Sequence, residues 1–267
     1  MTMAENEPTP YIIGGLGFVG GTMVRAFKGS RVIDVAEPDT LKLYDEMRPG
    51  DVAFICVPTP YDPVTGNFDM SAIDDALVRI PYSVITCLRS TTARYYQLRG
   101  NDANIIHPEF LRAKTADADF RSAKVRVYGV WDEYRGCVDV VERMYAKAGI
   151  VAATIIVTPA EACLIKLFHN AWCAVNVSLA NEFAAHYEDL TRHAWNDVFR
   201  EYLLHVLEAN GKDFRAFSQV PGPDGKRGFG GACFPKDLNV LCNQMSPSLR
   251  GVVAGALRTN AKVRLPE

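Results

Sequence analysis

The chain has 267 residues and a net charge of −2, with 48% apolar and 22% charged residues. That length supports two modest domains with real cores, and the balanced charge argues against a nucleic-acid or anionic-membrane surface. No apolar run reaches membrane-spanning length, Met1 to Pro10 is polar and acidic rather than signal-like, and seven cysteines without C-x2-C spacing point to reduced cytoplasmic thiols and no metal site.

Tyr11 to Ile13 reads as a short apolar strand, followed at once by Gly15-Leu16-Gly17-Phe18-Val19-Gly20 and a helix expected over Thr22–Lys28. This is G-x-G-x-x-G in strand–turn–helix context, a dinucleotide cradle. Gly15 makes the turn, Gly17 admits a pyrophosphate, and Gly20 lets the helix pack on the strand. The N-terminus of the helix offers its amides to phosphate, and Phe18 and Val19 within the motif are counted as cofactor contacts. A second strand, Arg31–Val35, carries Asp34, which lies 19 positions after Gly15 and suits a ribose-binding acid. A carboxylate there repels a 2′-phosphate, so NAD is expected rather than NADP, with Glu37 the competing acid. A short helix over Asp39–Met47 and a buried strand over Asp51–Val57 follow, the strand ending in Pro58-Thr59-Pro60. A helix over Met70–Ile80 with Asp69 as a possible cap, a strand over Ser83–Leu88 and the turn Ser90-Thr91-Thr92 come next. Ile105-Ile106 leads into His107-Pro108-Glu109-Phe110-Leu111. Strands over Lys124–Val130 and Ile150–Val157 flank a helix over Glu133–Ala148. The alternation predicts an α/β, Rossmann-type, doubly wound parallel sheet, here residues 1–157.

Residues 158–267 read as a small all-helical domain. Thr158-Pro159-Ala160-Glu161 is a capping-box start for a helix to about Tyr187. Lys166 and Asn170 are four apart and share a face of it, and its apolar stripe suits packing against a second copy through residues 160–187. A helix over His193–Glu208 stops at Asn210-Gly211, and a Pro/Gly loop, Gln219–Arg227, leads to Gly228-Phe229-Gly230-Gly231-Ala232-Cys233-Phe234-Pro235-Lys236-Asp237. Pro235 suits a first helical turn, with Leu238, Leu241, Cys242 and Met245 at helical spacing behind it. A thiol at that N-terminus favours the thiolate, and Lys236 and Asp237 can flank it, which describes a nucleophilic site. A buried structural cysteine after a glycine turn is the ordinary alternative. A last helix is expected over Ser248–Lys262.

The decapeptide Gly228–Asp237 resembles the catalytic signature of the UDP-glucose/GDP-mannose dehydrogenase family, which oxidises a sugar alcohol to a carboxylate with two NAD. Further segments are similar to that family's. Cys56-Val57-Pro58-Thr59-Pro60 resembles a turn beside the cofactor, Ser90-Thr91-Thr92 one where Thr91 approaches nicotinamide and substrate, and His107–Leu111 the family's N-P-E-F-L. The resemblance implies Cys233 as nucleophile, Asp237 as proton acceptor, Lys166 and Asn170 steadying the substrate oxygen, and Glu109 assisting thioester hydrolysis. It also implies Val57, Thr59, Pro60, Thr91 and Lys236 near the cofactor, and Phe110, Leu111, Phe229 and Gly230 near the sugar. Ala113-Lys114 stand where the family has Glu-Gly, and the family continues into a third domain, so a short form is expected. The expected reaction is oxidation of a nucleotide sugar, UDP-glucose first, by a homodimer. The alternatives are an NAD-binding accessory protein without turnover, and a two-electron dehydrogenase of the β-hydroxyacid type.

Overall fold

The computed structural model describes residues 7–93, 104–195, 197–209, 219–244, 247 and 251–264. The expected helix stop at Asn210-Gly211, Met245 and Ser248 lie outside them. The chain runs β1 (Pro10–Ile13), α1 (Phe18–Ala26), β2 (Arg31–Ile33), a 3-10 helix (Pro38–Glu46), β3 (Val52–Ile55), β4 (Tyr61–Asp62), β5 (Asn67–Phe68), α2 (Ser71–Arg79), β6 (Ile85–Leu88) and β7 (Ile105–Ile106). Then come α3 (Ala116–Arg121), β8 (Val125–Gly129), α4 (Arg135–Lys147), β9 (Ala153–Val157), α5 (Pro159–Thr191), α6 (Asp197–Ala209), α7 (Phe234–Gln244) and α8 (Gly251–Val263). The elements form two compact units, one ending at Thr59 and resuming over Asp69–Lys166, the other made of Pro60–Phe68 and the chain from Leu167 onward.

The first unit is built on a seven-stranded sheet ordered β2-β1-β3-β6-β7-β8-β9. Its strands alternate between two buried faces, as a sheet covered on both sides requires. Tyr11, Ile13, Ala53 and Ile55 enter one core, while Ile12, Val52 and Phe54 enter the other. The sheet is parallel from β2 to β7 and again between β8 and β9, but β7 and β8 pair antiparallel through Ile106 and Gly129. The α/β reading holds, and the sheet is mixed rather than purely parallel. Alternation of strand and helix signals that a helix intervenes but carries no strand direction, and the intervening α3 has no strong pattern of its own.

The boundary expected at 157/158 falls inside α5 instead. The first turns of α5 carry Ala162, Cys163 and Ile165 into the sheet core, so the helix belongs to the first unit up to Lys166. Gly129 lets them approach, since a Cβ there would lie 2.6 Å from the Ala162 Cβ. The start of α5 is the capping box the sequence predicts. The Thr158 amide and hydroxyl donate to Glu161 Oε2, both at 2.8 Å, and the Glu161 amide returns a bond to Thr158 Oγ1 at 3.3 Å.

The second unit packs α5, α7 and α8 around Ala171, Ala174, Phe229, Leu238, Leu241 and Ala256. The two-stranded antiparallel ribbon β4–β5, which the sequence pattern did not announce, joins it: Asn243 Nδ2 donates to Gly66 O at 3.2 Å and to the Tyr61 hydroxyl at 3.4 Å. Gly66 has φ +68°, and Asp62 closes the turn through the Val64 amide and the Thr65 hydroxyl. Among the described residues, no helix is long and apolar enough to cross a membrane. Thr158→Ala should lower the unfolding free energy by about 1 kcal/mol, measured by urea denaturation.

Candidate active site

In the first unit the glycine turn closes on itself. The Gly17 amide donates to Gly14 O at 3.1 Å, and a Cβ on Gly20 would lie 2.3 Å from that same oxygen. Positive φ in the turn falls on Gly14, at +79°, and a Cβ on Gly15 would strike the Val32 side chain at 2.6 Å. The helix starts at Phe18, earlier than the expected Thr22, because Gly17 takes the capping position. Gly17 offers no capping side chain and the first turn holds no acid, so the amides of Phe18, Val19 and Gly20 face the turn mouth with the positive end of the helix dipole. Asp34 joins them: its Oδ2 accepts from the Leu16 amide at 3.0 Å and its Oδ1 from the Ala36 amide at 3.0 Å. Leu16, Gly17, Phe18, Arg25 and Lys114 line a cleft here. Next to β3, the two turns singled out in the sequence are tied together. Ser90 Oγ donates to Val57 O at 2.6 Å and Thr59 Oγ1 to Thr91 O at 2.9 Å. Pro60, next in sequence, is exposed and begins the second unit.

Glu109 is set by its neighbour His107. His107 Nδ1 lies 2.8 Å from Val127 O and Nε2 lies 3.0 Å from the Tyr145 hydroxyl, with the ring stacked on Tyr128. Because Val127 O can only accept, Nδ1 carries the proton and Nε2 accepts from Tyr145. Burial, with the Arg89 charge, holds this imidazole well below its ordinary pKa, so it is a neutral structural anchor. Two residues on, the Glu109 Oε2 accepts from the Leu111 amide at 2.6 Å and Oε1 from Lys166 Nζ at 2.9 Å. Lys166 also donates to Glu109 O at 2.5 Å and lies over the Phe110 ring. Burial pushes the Glu109 carboxyl up, but Lys166, the Leu111 amide and Arg89 outweigh it and hold it below the usual carboxylate range. Both partners are almost fully buried.

In the second unit Cys233 is the residue directly before α7, half-buried, and its carbonyl accepts from the Asp237 amide at 2.9 Å. Asp237 is fully buried and bonded at both oxygens. Lys236 Nζ donates to Oδ1 at 2.6 Å, and Asn170 Nδ2 donates to Oδ2. Lys236 also lies 4.8 Å over the Phe68 ring, from β5. Phe229 is buried in the unit's core and Gly230 lies against Arg264. Elsewhere in the chain, burial pushes the Cys56 and Cys163 thiols up to about 12, and Cys87 higher still, which keeps these three protonated. In the loop before Cys233, Arg227 donates to Glu188 at 2.6 Å.

Residues 160–260 match the model of the UDP-glucose/GDP-mannose dehydrogenase family, central domain. The chain is 30% identical over 225 residues to UDP-glucose 6-dehydrogenase of Haloferax volcanii, covering 74% of this chain and 49% of that one. It is 28% identical over 229 residues to GDP-mannose 6-dehydrogenase of Pseudomonas putida, covering 76% and 48%. This chain belongs to the UDP-glucose/GDP-mannose dehydrogenase family. It spans about half the length of the curated relatives it matches. A solved UDP-glucose dehydrogenase from Pyrobaculum islandicum shares its fold at TM-score 0.70 and 23% identity, over 98% of this chain and 70% of that one.

A member of this dehydrogenase family needs a place for a dinucleotide, and the glycine turn fits one: backbone amides, a helix end without a side-chain cap and Asp34 stand together. Sequence reading missed the Ser90 and Thr59 ties, Arg89, and the residues that hold the loop before Cys233. The signal for Arg89 was weak, a single cation at a strand end, yet its Nε is buried without a partner among the described residues.

The buried pair gives a stability test. Glu109→Ala strands the Lys166 ammonium and should cost about 3 kcal/mol in urea unfolding, while adding Lys166→Met should recover much of that loss. Because the folded carboxyl is depressed, its contribution is complete above the unfolded value and fades as pH falls through the lower folded one. The wild type should therefore lose this advantage only below about pH 4.

Proposed function

We propose that the protein oxidises the primary alcohol of a nucleotide sugar, UDP-glucose first among candidates, to the carboxylate in two steps through a covalent Cys233 thioester. The observation that carries the reading is Cys233 directly before α7, with the buried Asp237 one turn on and bonded by both Asn170 and Lys236. NAD, when bound, accepts one hydride in each oxidation. Gly15, Gly17, Phe18, Val19, Gly20 and Asp34 hold it, with Val57, Thr59, Pro60, Thr91 and Lys236 around it, and a carboxylate beside the Leu16 amide disfavours a 2′-phosphate.

In the first oxidation Asp237, directly or through water, takes the alcohol proton as the carbon loses hydride and becomes an aldehyde. Lys166 and Asn170 stabilise the charge that develops on the oxygen. The Cys233 thiolate then adds to the aldehyde carbon, and loss of a second hydride leaves a thioester. Water attacks that carbonyl with Glu109 accepting its proton; the carbon–sulfur bond breaks and the thiolate is regenerated. One alcohol and one water thus give one carboxylate and two reduced cofactors. Phe110, Leu111, Phe229 and Gly230 are assigned to the sugar.

A panel of UDP- and GDP-sugars with NAD tests this by NADH absorbance. The expected result is two NADH per sugar consumed, with Cys233→Ala losing the second equivalent. One NADH per substrate and an indifferent Cys233→Ala would favour the two-electron β-hydroxyacid type. Tight NAD binding without turnover would favour an accessory role, for which Ala113 in place of the family's Glu is the motivating residue. We also infer a homodimer through residues 160–187, supported by Phe168 and Trp172, four apart on α5 and each more than half exposed. Phe168→Asp should convert a dimer to monomer in sedimentation, and a wild type that sediments as a monomer would reject the assembly.

A further inference from the structure

The loop before Cys233 is held by three side chains that the reaction does not use. The Gly228 amide donates to Asn181 Oδ1 of α5 at 3.1 Å, and the Phe229 amide donates to Asn260 Oδ1 of α8 at 2.7 Å. Arg264, at the end of α8, donates through Nη2 to Asp224 Oδ2 at 2.6 Å and through Nη1 to the carbonyls of Arg227 and Gly228, both at 3.4 Å. Every one of these groups is a backbone partner of the loop or, for Asp224, a residue of its turn. The fit is close at the two glycines Gly228 and Gly230. A Cβ on Gly228, whose φ is +79°, would lie 2.3 Å from Asn260 Oδ1, and one on Gly230 would lie 2.4 Å from Arg264 Nη2.

We propose that Asn260 and Arg264 are positioning residues, which fix the backbone from Asp224 to Gly230 and so set where the Cys233 thiol stands at the start of α7. The inference rests on the reading of Cys233 as nucleophile. Its logic is that of a tether. Only three residues, Gly231, Ala232 and Cys233 itself, separate Gly230 from α7, and Gly231 has φ +79°. A short turn fixed at one end by α8 and at the other by a helix leaves the thiol little freedom. Arg264 reads two carbonyls and a carboxylate with one planar fork, which Lys cannot reproduce. Asn260 supplies an acceptor alone, so Asp can stand in for it.

The test compares wild type with Asn260→Ala, Asn260→Asp, Arg264→Ala and Arg264→Lys. Iodoacetamide labelling, mapped by peptide mass, gives the rate at Cys233 relative to Cys242 further along α7. Steady-state NADH release gives kcat and the KM for NAD, and thermal melting reports stability. Both alanine variants are expected to slow Cys233 labelling relative to Cys242 by about threefold or more, and to lower kcat about tenfold while the KM for NAD moves less than about twofold. Asn260→Asp should restore labelling and turnover, and Arg264→Lys should restore them only in part. Alanine variants that melt earlier but keep the labelling ratio and kcat near wild type would overturn the proposal, leaving α8 a structural support. If wild type releases no NADH with any nucleotide sugar yet the labelling ratio responds, the reaction fails and the positioning role stands.

Discussion

The carboxylate of Asp237 is the constraint on which the candidate chemistry depends. A carboxylate taken wholly out of water is costly unless donors replace its hydration. Here Lys236 and Asn170 supply one donor to each oxygen, and Asn170 is turned by His169, whose Nδ1 lies 3.2 Å from its Oδ1. The bond from Asn170 fixes the start of α7 on α5, and the start of α7 is where Cys233 stands. Phe68 then covers the Lys236 ammonium from a ribbon that the chain lays down much earlier. A pair so buried is weak evidence for stability, since apolar groups could fill the same space more cheaply.

The first unit holds the corresponding arrangement around Glu109. There the cation comes from the second turn of α5 and the anchoring is done by a neutral histidine in the sheet core. One helix thus carries Lys166 for one buried carboxylate and, four residues on, Asn170 for another. The helix interrupts nothing to do so: Leu167 and Ala171 beside them remain buried and apolar. The same spacing that put two polar residues on one face allowed each to find an acid without opening either core.

Much of this was legible because the signals were local. The capping box at Thr158 and Glu161, the glycine turn after β1, and a thiol just before a Pro-containing first turn each involve residues within a few positions, and each forms as the residues dictate. Spacing put Lys166 and Asn170 on one helix face and the family resemblance singled them out, but the Glu109 partner was hidden, since nothing in a sequence says that position 109 meets 166. The ribbon β4–β5 was hidden for a different reason. Its strands are two residues each, below the length at which alternation can be seen, and Gly66 and Asp62 give only a turn signal. The boundary within α5 was hidden because a helix does not change its pattern where it passes from one core to the next.

The glycines before Cys233 show how a motif can be located correctly for a partial reason. Glycine there suggests room for a ligand to approach the backbone. The room at Gly228 and Gly230 is already taken, by Asn260 and by the guanidinium of Arg264. The call for glycine is therefore intramolecular: at Gly228 a positive φ combines with contacts from Asn260, Val263 and Arg264, and at Gly230 a side chain would have to displace the Arg264 guanidinium from its partners. Gly231 differs, having open space beside its Cα and a positive φ that only the turn demands. A single run of glycines thus answers two constraints, close packing on one side and chain reversal on the other. Neither constraint requires a substrate to be present.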